Sequence, residues 1–339
     1  MSGEKVFWIG TFLRALRKLT KHLRVLRKIV VVSIFLSLLQ FLPSRGYFSE
    51  AASNWQGYFL ILSFVSLLIL GFSRVWKKSI RLILSLIIVF SSILPIKSAL
   101  PYFTASNNIP SKHSTNQFSV MFMNVNIFNQ NLNKVLDLIT LKNPDILIIQ
   151  ELSSELQVRL AEKDQYIERV EIPAKDPFGL ALYSKFPIIS PRSENLLTSV
   201  GEGLTLIILA NLNIKSMPVS LVSLHPFPPI SRKLWRSNKL LTRRVATLLR
   251  HKSKNVILAS DLNMSIFSKR FKFIKNSLSL RDAMYSYGLK KTWNRLIPLF
   301  HFTIDHILYR GDLAVADFEV LDLPGSDHNS LYVTFSPVT

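Results

Sequence analysis

Residues that can bind a metal ion or move a proton follow several apolar segments of this sequence. They are Asn124, Asn126, Glu151, His225, Asp261, Asn263, Asp305, Asp327 and His328. Oxygen ligands from carboxylates and amides, in a chain without cysteine, favour Mg²⁺ or Mn²⁺ over zinc. Histidines close to carboxylates supply acid–base groups near neutral pH.

The spacing of Asp261 and Asn263 in the segment ASDLNM is suited to phosphoester chemistry. Two residues apart in a strand-to-loop turn, both side chains lie on the same side. The carboxylate can hold a water molecule while the amide donates to a phosphate oxygen. A single acid at a strand end is more often a turn residue or a cap, but the repetition of this pattern indicates one polar cleft at a sheet edge.

Strands and helices that would position these residues are predicted after residue 117. Apolar runs predict strands at 119–125, 145–149, 180–183, 204–209, 219–224, 256–259, 303–308 and 330–335. Helical spacing predicts one helix over 132–139 and a second that begins near Ser231. Strands mixed with helices favour an α/β domain in which helices cover the sheets.

The ordered motifs N-x-N, PDI-(x)₃-QE, SLH, SDLN, IDH and SDH resemble the endonuclease/exonuclease/phosphatase superfamily. The segment GLALYSKFPI is also similar to a central strand and turn of that family. The resemblance implies a four-layer α/β sandwich, with two mixed β-sheets packed face to face and helices outside. It also implies a metal-dependent phosphoric ester hydrolase, with Mg²⁺ or Mn²⁺ as cofactor.

The resemblance implies a role for each site residue. Glu151 would be the main metal ligand, with Asn124 nearby and Asp327 assisting. Asn126 would line the phosphate site, where some relatives carry Asp.

The acid–base roles follow from the same resemblance. Asp261 would orient or deprotonate the attacking water, and Asn263 would bind the scissile phosphate. His328, held by Asp305, would hydrogen-bond the phosphate or transfer a proton. His225 would assist the leaving group. His301 and His306 are expected to serve the structure.

The first hundred residues predict a membrane anchor. Uncharged or nearly uncharged apolar runs favour three transmembrane helices, at about 29–44, 56–73 and 80–96. The alternative, buried core helices, is less favoured, and no small-residue cleavage site indicates a signal peptide. The predicted organisation is a basic cytoplasmic segment (1–28), a transmembrane region (29–97), a linker (98–117) and a catalytic domain (118–339).

Basic flanks predict the orientation of this anchor. Lys and Arg are concentrated in residues 1–28 and 74–81, which favours a cytoplasmic N-terminus. We therefore expect a multi-pass protein of a bacterial cell membrane, with membrane lipids as partners and the catalytic domain outside. The resemblance is to a membrane-anchored bacterial type.

The composition excludes some classes and leaves the substrate open. With 48% hydrophobic residues the chain is not disordered, and without cysteine it has no disulfide, iron–sulfur cluster or thiol nucleophile. The net charge is +21, and between Arg232 and Arg295 only Asp261 and Asp282 are acidic. This basic region favours a polyanion, with Trp235, Phe271, Phe273 and Trp293 available for stacking.

We therefore predict a membrane-tethered, nuclease-like phosphodiesterase. A phospholipid- or sphingomyelin-type phosphodiesterase and a catalytically silent polyanion-binding membrane protein are the alternatives. No protein partner is predicted.

Overall fold

The chain divides into two compact units, Met1–Ser98 and Ala99–Thr339. The computed structural model describes residues 3–41, 46–72, 76–104, 116–162, 165–196, 205–250, 253–297 and 302–338.

The N-terminal unit is helical. Its helices are α1 (Gly3–Leu38), α2 (Tyr47–Asn54), α3 (Gln56–Phe72) and α4 (Lys78–Ala99), and Leu39–Phe41 forms a 3-10 turn. Among the described residues, only α4 is long and apolar enough by itself to cross a membrane. Helices α2 and α3 meet at a bend of 65° and would make a second span only if they are counted together.

The prediction of three transmembrane helices is therefore wrong for the described residues. The apolar part of α1 runs only from Ile29 to Leu38 behind a basic segment, and ten helical residues cover about 15 Å of the roughly 30 Å of hydrocarbon. Residues 42–45, which would extend this run, lie outside the described residues. Helix α3 has 17 residues and is separated from α2 by the bend.

The C-terminal unit contains five helices and twelve strands among its described residues. The helices are α5 (Pro101–Thr104), α6 (Leu132–Lys142), α7 (Ser154–Ala161), α8 (Arg232–Arg250) and α9 (Lys269–Ser277). The strands are β1 (Phe118–Asn124), β2 (Ile146–Gln150), β3 (Glu168–Ile172), β4 (Leu180–Ser184), β5 (Ile188–Leu196), β6 (Thr205–Ile214), β7 (Met217–Leu224), β8 (Asn255–Asp261), β9 (Arg281–Asp282), β10 (Asp305–Arg310), β11 (Leu313–Asp322) and β12 (Asn329–Pro337). Each of the eight predicted strands coincides with an observed one. The predicted linker falls partly on α4 and α5, and residues 105–115 lie outside the described residues.

Two six-stranded sheets form the framework of this unit. The first has the order β11-β12-β1-β2-β4-β3, and the second has the order β5-β6-β7-β8-β10-β9. Each is mixed, because β1 and β2 pair in parallel, as do β7 and β8, whereas the other pairs are antiparallel. The two mixed sheets with their helices confirm the predicted α/β sandwich.

Helices α6 and α7 cover the outer face of the first sheet. Val135 and Ile139 of α6 and Leu156 of α7 belong to one buried cluster with Met121 and Leu147 of the sheet. Alternate residues of β1 point the other way, because side chains along a strand alternate between its faces. Every residue of β1 is buried, as expected for a strand that is covered on both sides.

The inner faces of the two sheets meet through aromatic and polar contacts. Tyr309 of β10 packs on Phe335 of β12 with ring centroids 5.3 Å apart. Gln150, at the end of β2, donates to the carbonyl oxygen of Leu224 at 2.8 Å and accepts from the backbone N–H of Asp261 at 3.0 Å. Both contacts fix the ends of the strands that carry the polar side chains.

A glycine sets the turn before β12. Gly325 has a φ of +78°, and a Cβ atom there would collide with the side-chain oxygen of Asn129. Asn129 is itself fixed, because its amide donates to the carbonyl oxygens of Val125 and Pro324 at 2.8 Å each. This turn leads directly into the segment that carries Asp327 and His328.

We expect Gly325→Ala to lower the free energy of unfolding by about 2 kcal/mol, because both the left-handed backbone and the collision oppose a side chain. Chemical unfolding of the full-length protein in detergent, followed by tryptophan fluorescence, measures the change. Gly71→Ala is the matched control, since no atom outside its own turns of the helix lies within 4 Å of its Cβ position and alanine favours a helix. Equal stability of the two variants would contradict the role of Gly325.

Candidate active site

The polar residues collect at one edge of the sandwich because of the strand directions. Asn124 and Asp261 end β1 and β8, Glu151 and His225 directly follow β2 and β7, and Asp305 begins the antiparallel strand β10. The ends of parallel neighbours meet at the same edge, and an antiparallel neighbour begins where they end. This topology brings the polar ends of the predicted strands to one edge of the sandwich.

Asn124 lies at the centre of the cluster and is fully buried. Its Nδ2 atom is 3.0 Å from Oε1 of Glu151, 3.3 Å from Oδ2 of Asp261 and 3.5 Å from Nε2 of His328. One amide therefore contacts two carboxylates and one imidazole from three other chain segments.

Asp261 is 2% exposed and lies among donors. Its Oδ1 accepts the backbone N–H of Asn263 at 2.8 Å, and its Oδ2 is 3.4 Å from Nε2 of His225. Burial opposes ionisation, but the hydrogen bond from His225 and the positive charge of His328 outweigh it and hold the pKa of Asp261 below its ordinary value. Asp261 is therefore a carboxylate at neutral pH.

His328 and Asp305 form a buried pair. Nδ1 of His328 is 3.0 Å from Oδ2 of Asp305, and Nε2 of the same ring faces Oδ2 of Asp261 at 3.8 Å. Burial disfavours the imidazolium, but the carboxylate of Asp305 outweighs it and raises the pKa of His328 to about 10. Burial also raises the pKa of Asp305, and the charge of His328 offsets only part of that effect. Nε2 therefore carries a proton and points into the cluster.

His225 is the second imidazole of the cluster. Its Nδ1 donates to the carbonyl oxygen of Pro177 at 2.8 Å, which leaves Nε2 directed at Asp261. Burial lowers the pKa of His225, but the bond to Asp261 outweighs it and the pKa lies above the ordinary value. The ring of Phe178 lies 5.6 Å from that of His225.

Three residues of the site have left-handed backbone. Asn126, Glu151 and Asn263 have φ values of +61°, +61° and +53°. Such conformations cost on the order of 1–3 kcal/mol in a non-glycine residue and concentrate at functional sites. Each turns the chain at the end of a strand, so that the side chain lies at the sheet edge.

Asp327 makes its hydrogen bonds to Asn126 and Trp293, not to Asp261. Its Oδ1 accepts from Nδ2 of Asn126 at 3.0 Å, and its Oδ2 accepts from Nε1 of Trp293 at 2.7 Å. Asn126 in turn donates its backbone N–H to Oδ1 of Asn124 at 3.2 Å. A hydrogen-bonded link between Asp327 and the centre therefore runs through Asn126.

Two histidines were expected to serve the structure. His306 is fully buried, and its ring nitrogens face Asp282 and the carbonyl oxygen of Met264 rather than the Asp261 cluster. Phe271 of α9 packs on this ring with centroids 4.3 Å apart, so His306 points to the outer face of β10. His301 lies outside the described residues.

Residues without a predicted role also support the site. Gln150 joins the two sheets, and Thr292 Oγ1 accepts the backbone N–H of Asp305 at 3.1 Å. Ser326 Oγ donates to the carbonyl oxygen of Asn124 at 2.8 Å and accepts from the N–H of His328 at 3.0 Å. The bonds of Gln150 to Asp261 and of Ser326 to Asn124 join segments more than a hundred residues apart, so sequence spacing does not reveal these supporting roles.

The donor set of the site fits a divalent cation. Within the described part of the chain, Asp261, Asp305 and His328 place potential ligand atoms within 4.8 Å of one another. The protonated ring of His328 has no free lone pair, so the donors available to a cation are the carboxylate oxygens. Glu151 accepts one hydrogen bond at each carboxylate oxygen, from Asn124 and from the N–H of Ile127, so each oxygen keeps a free lone pair. Hard oxygen donors of this kind suit Mg²⁺ or Mn²⁺.

The sequence of these strands and loops matches a known protein family. A family model described as the Endonuclease/Exonuclease/phosphatase family matches residues 121–328. The chain belongs to the endonuclease/exonuclease/phosphatase family. The match begins in β1 and ends at His328, and therefore includes every residue of the predicted site. Family and site together support phosphoester hydrolase activity. A search of curated proteins gives no match.

Solved structures share the fold of this family member. D. rerio TDP2, in complex with a single-strand DNA product, is 16% identical with a TM-score of 0.55, and the match covers 65% of this chain and 99% of that one. A mannosyl-6-phosphatase of Bacteroides thetaiotaomicron is 16% identical, with a TM-score of 0.51 and coverage of 65% and 99%. The catalytic domain of human Nocturnin, with a bound sulfate anion, is 19% identical, with a TM-score of 0.51 and coverage of 66% and 95%. At these identities the likeness establishes the fold.

Proposed function

We propose that this family member is a divalent-metal-dependent phosphodiesterase. The observation that carries the proposal is the buried cluster of Asp261 with His225, His328 and Asn124. It combines an ionised carboxylate with imidazoles whose pKa values lie above the ordinary value. In-line hydrolysis of a phosphodiester needs a group that accepts a proton from water and groups that meet the negative charge on the phosphate.

Each residue of the cluster has a task in that reaction. Asp261 orients the attacking water and accepts its proton. His328, held by Asp305, donates from Nε2 to a phosphate oxygen, and His225 donates to the leaving oxygen. Asn263 uses one amide hydrogen for the carbonyl oxygen of Pro226 at 2.9 Å, and its second hydrogen is available for the phosphate.

Glu151, with Asn124 beside it and Asp327 linked through Asn126, would hold the Mg²⁺ or Mn²⁺ ion. The bound ion would supply positive charge that stabilises the phosphate oxygens as their charge increases. Asn124 also orients the Glu151 carboxylate through its Nδ2 hydrogen bond.

We expect chelation by EDTA to stop hydrolysis of bis-p-nitrophenyl phosphate by the full-length protein in detergent, and Mg²⁺ or Mn²⁺ to restore it. Glu151→Gln should raise the Mg²⁺ concentration for half-maximal rate at least tenfold, because one negative oxygen is lost. Glu162→Gln is the control, since this exposed residue directly follows α7. Full activity in EDTA would refute the proposal, and an unchanged Mg²⁺ response would remove Glu151 from the ligand set.

The exposed face of α8 supports a polyanionic substrate. Arg236, Arg243 and Arg250 are spaced by seven residues and are all exposed, as are Lys233 and Arg244. Their spacing puts the three arginines on one stripe of the helix. A row of cations of this kind attracts a phosphate backbone.

Nucleic acid is therefore our first candidate substrate, and phospholipid is the second because of α4. Of the aromatic residues predicted to stack on bases, Trp235 and Phe271 are buried, and Phe273 is 43% exposed. Hydrolysis of DNA and RNA strands, compared with that of phospholipid in mixed micelles, separates the two. Binding of nucleic acid without hydrolysis of any substrate would favour the catalytically silent alternative.

We propose that α4 anchors the protein in a membrane. Its apolar side chains Ile83, Leu86 and Phe90 are more than half exposed in the helical unit. Lys77, Lys78 and Arg81 lie at the N-terminal end of the helix, whereas Lys97 is the one basic residue at its C-terminal end, which favours a catalytic unit outside the cell membrane.

We expect the protein to remain with the membrane fraction after alkaline carbonate extraction. Exchange of Leu86 and Phe90 for Lys should release part of it, because each charge in the hydrocarbon costs about 2.5–3.5 kcal/mol. Val158→Lys, at an exposed position of α7, is the control. A wild-type protein that is extracted by carbonate would contradict the anchor, and a C-terminal alkaline phosphatase fusion reports the orientation.

A further inference from the structure

A buried chain of hydrogen bonds runs from Tyr102 to the loop that follows β8. The hydroxyl of Tyr102, which is 1% exposed, donates to Oδ2 of Asp282 at 2.8 Å. The same oxygen is 3.2 Å from Nδ1 of His306, and Nε2 of His306 is 3.0 Å from the carbonyl oxygen of Met264. Asp282 and His306 are at most 2% exposed, so these contacts are made without competition from water.

The far end of this chain belongs to the candidate active site. Met264 directly follows Asn263, whose backbone is left-handed, and lies three residues after Asp261. His306 directly follows Asp305, which holds His328. Since neighbouring residues of a strand point to opposite faces, Asp305 faces the site while His306 supports the loop from behind.

The near end is held by the loop after β9. The carbonyl oxygens of Pro101 and Tyr102 accept the backbone N–H groups of Ser286 and Gly288 at 3.3 and 2.7 Å. The ring of Tyr102 meets that of Tyr285 edge to face, with centroids 4.9 Å apart. Backbone and side chain of this short segment are therefore both fixed, and only Leu100 separates the segment from the end of α4 in the sequence.

We propose that Tyr102 is a positioning residue for the loop 261–264. Its hydroxyl fixes the Asp282 carboxylate, and the carboxylate fixes the ring of His306. The ring in turn fixes the carbonyl oxygen of Met264, the residue after Asn263. The residues that come directly after the apolar helix α4 thus set the geometry of the phosphate-binding loop. The inference deepens the proposed function and rests on it for its effect on catalysis.

Tyr102→Phe tests the inference, because it removes the hydroxyl and keeps the ring on Tyr285. We expect kcat/KM of the full-length protein to fall about tenfold, since small misplacements of catalytic groups cost one to two orders of magnitude. The double variant Tyr102→Phe, His306→Gln should be no slower than His306→Gln alone, because both changes break the same chain. Tyr287→Phe, in the same loop and with its ring 5.4 Å from that of Phe318, is the matched control and should retain the wild-type rate.

Hydrogen–deuterium exchange gives a readout that does not depend on activity. In Tyr102→Phe the amides of residues 262–266 should exchange several-fold faster than in wild type, while those of β2 stay unchanged. A structural role alone would accelerate exchange throughout the unit. Unchanged exchange in this loop, or rate effects of Tyr102→Phe and His306→Gln that multiply, would overturn the inference. If the wild-type protein hydrolyses no phosphodiester, the proposed function fails, and the exchange measurement still decides the role of Tyr102.

Discussion

Asp261→Asn should lower kcat for phosphodiester hydrolysis by about a thousandfold, within the 10²–10⁴ range typical of general acid–base residues. The amide keeps the size of the carboxylate, and its oxygen can still accept the N–H of Asn263. It cannot accept a proton from water at neutral pH. It also brings an NH₂ group toward the donors of Asn124 and His225, where the wild-type Oδ2 is an acceptor.

The experiment compares steady-state rates of the full-length protein at saturating substrate and Mg²⁺. Asp322→Asn, at an exposed position at the end of β11, is the matched control and should leave the rate unchanged. Circular dichroism and the melting temperature establish that Asp261→Asn is folded. A folded variant that retains a tenth of the wild-type rate or more would exclude Asp261 as the base.

The strands that carry the site residues were predictable because each is a continuous apolar segment that is buried on both faces. FSVMFMN and NVILASD are buried along their whole length and end in a polar residue, so sequence alone locates both the strand and its functional end. Strand β3 (ERVEI) was not predicted, since it is a partly exposed edge strand with alternating charges. Strand β9 has two residues, too few for any period to appear.

The contacts among the site residues were less predictable than their identity. The resemblance grouped Glu151, Asn124 and Asp327 as metal ligands, and these roles remain proposals. The structure adds that Asp327 bonds Asn126 and Trp293, whereas Asp261 lies close to the Asp305–His328 pair. Such partners depend on how loops from both sheets meet, which no spacing within one segment records.

The prediction of three transmembrane helices was wrong because apolar composition alone does not determine where a helix ends. The run 29–44 is apolar, but α1 ends at Leu38, so the run is shared between a helix end and the turn that follows. The second predicted span, 56–73, coincides with α3, which has only 17 residues and is separated from α2 by the bend. A span needs continuity of the helix as well as apolar composition.

His328→Gln should lower kcat by about a thousandfold, and Asp305→Asn by about a hundredfold, because the imidazolium and the carboxylate act as one unit. Glutamine at 328 keeps a donor but no charge, so the phosphate loses its cationic partner. Asparagine at 305 leaves the ring in place but removes the charge that keeps the pKa of His328 near 10. The double variant should be no slower than His328→Gln alone, since without the imidazole the carboxylate at 3.0 Å has nothing to hold. Losses that multiply in the double variant would mean that Asp305 acts on the reaction independently of His328.

Asp282→Asn is the matched control, because the Asp282 carboxylate contacts His306 and not His328. Its effect reaches the site through the loop 261–264 and not through the imidazole of His328. The losses of Asp282→Asn and His328→Gln should therefore multiply when the two changes are combined, in contrast to those of Asp305→Asn and His328→Gln.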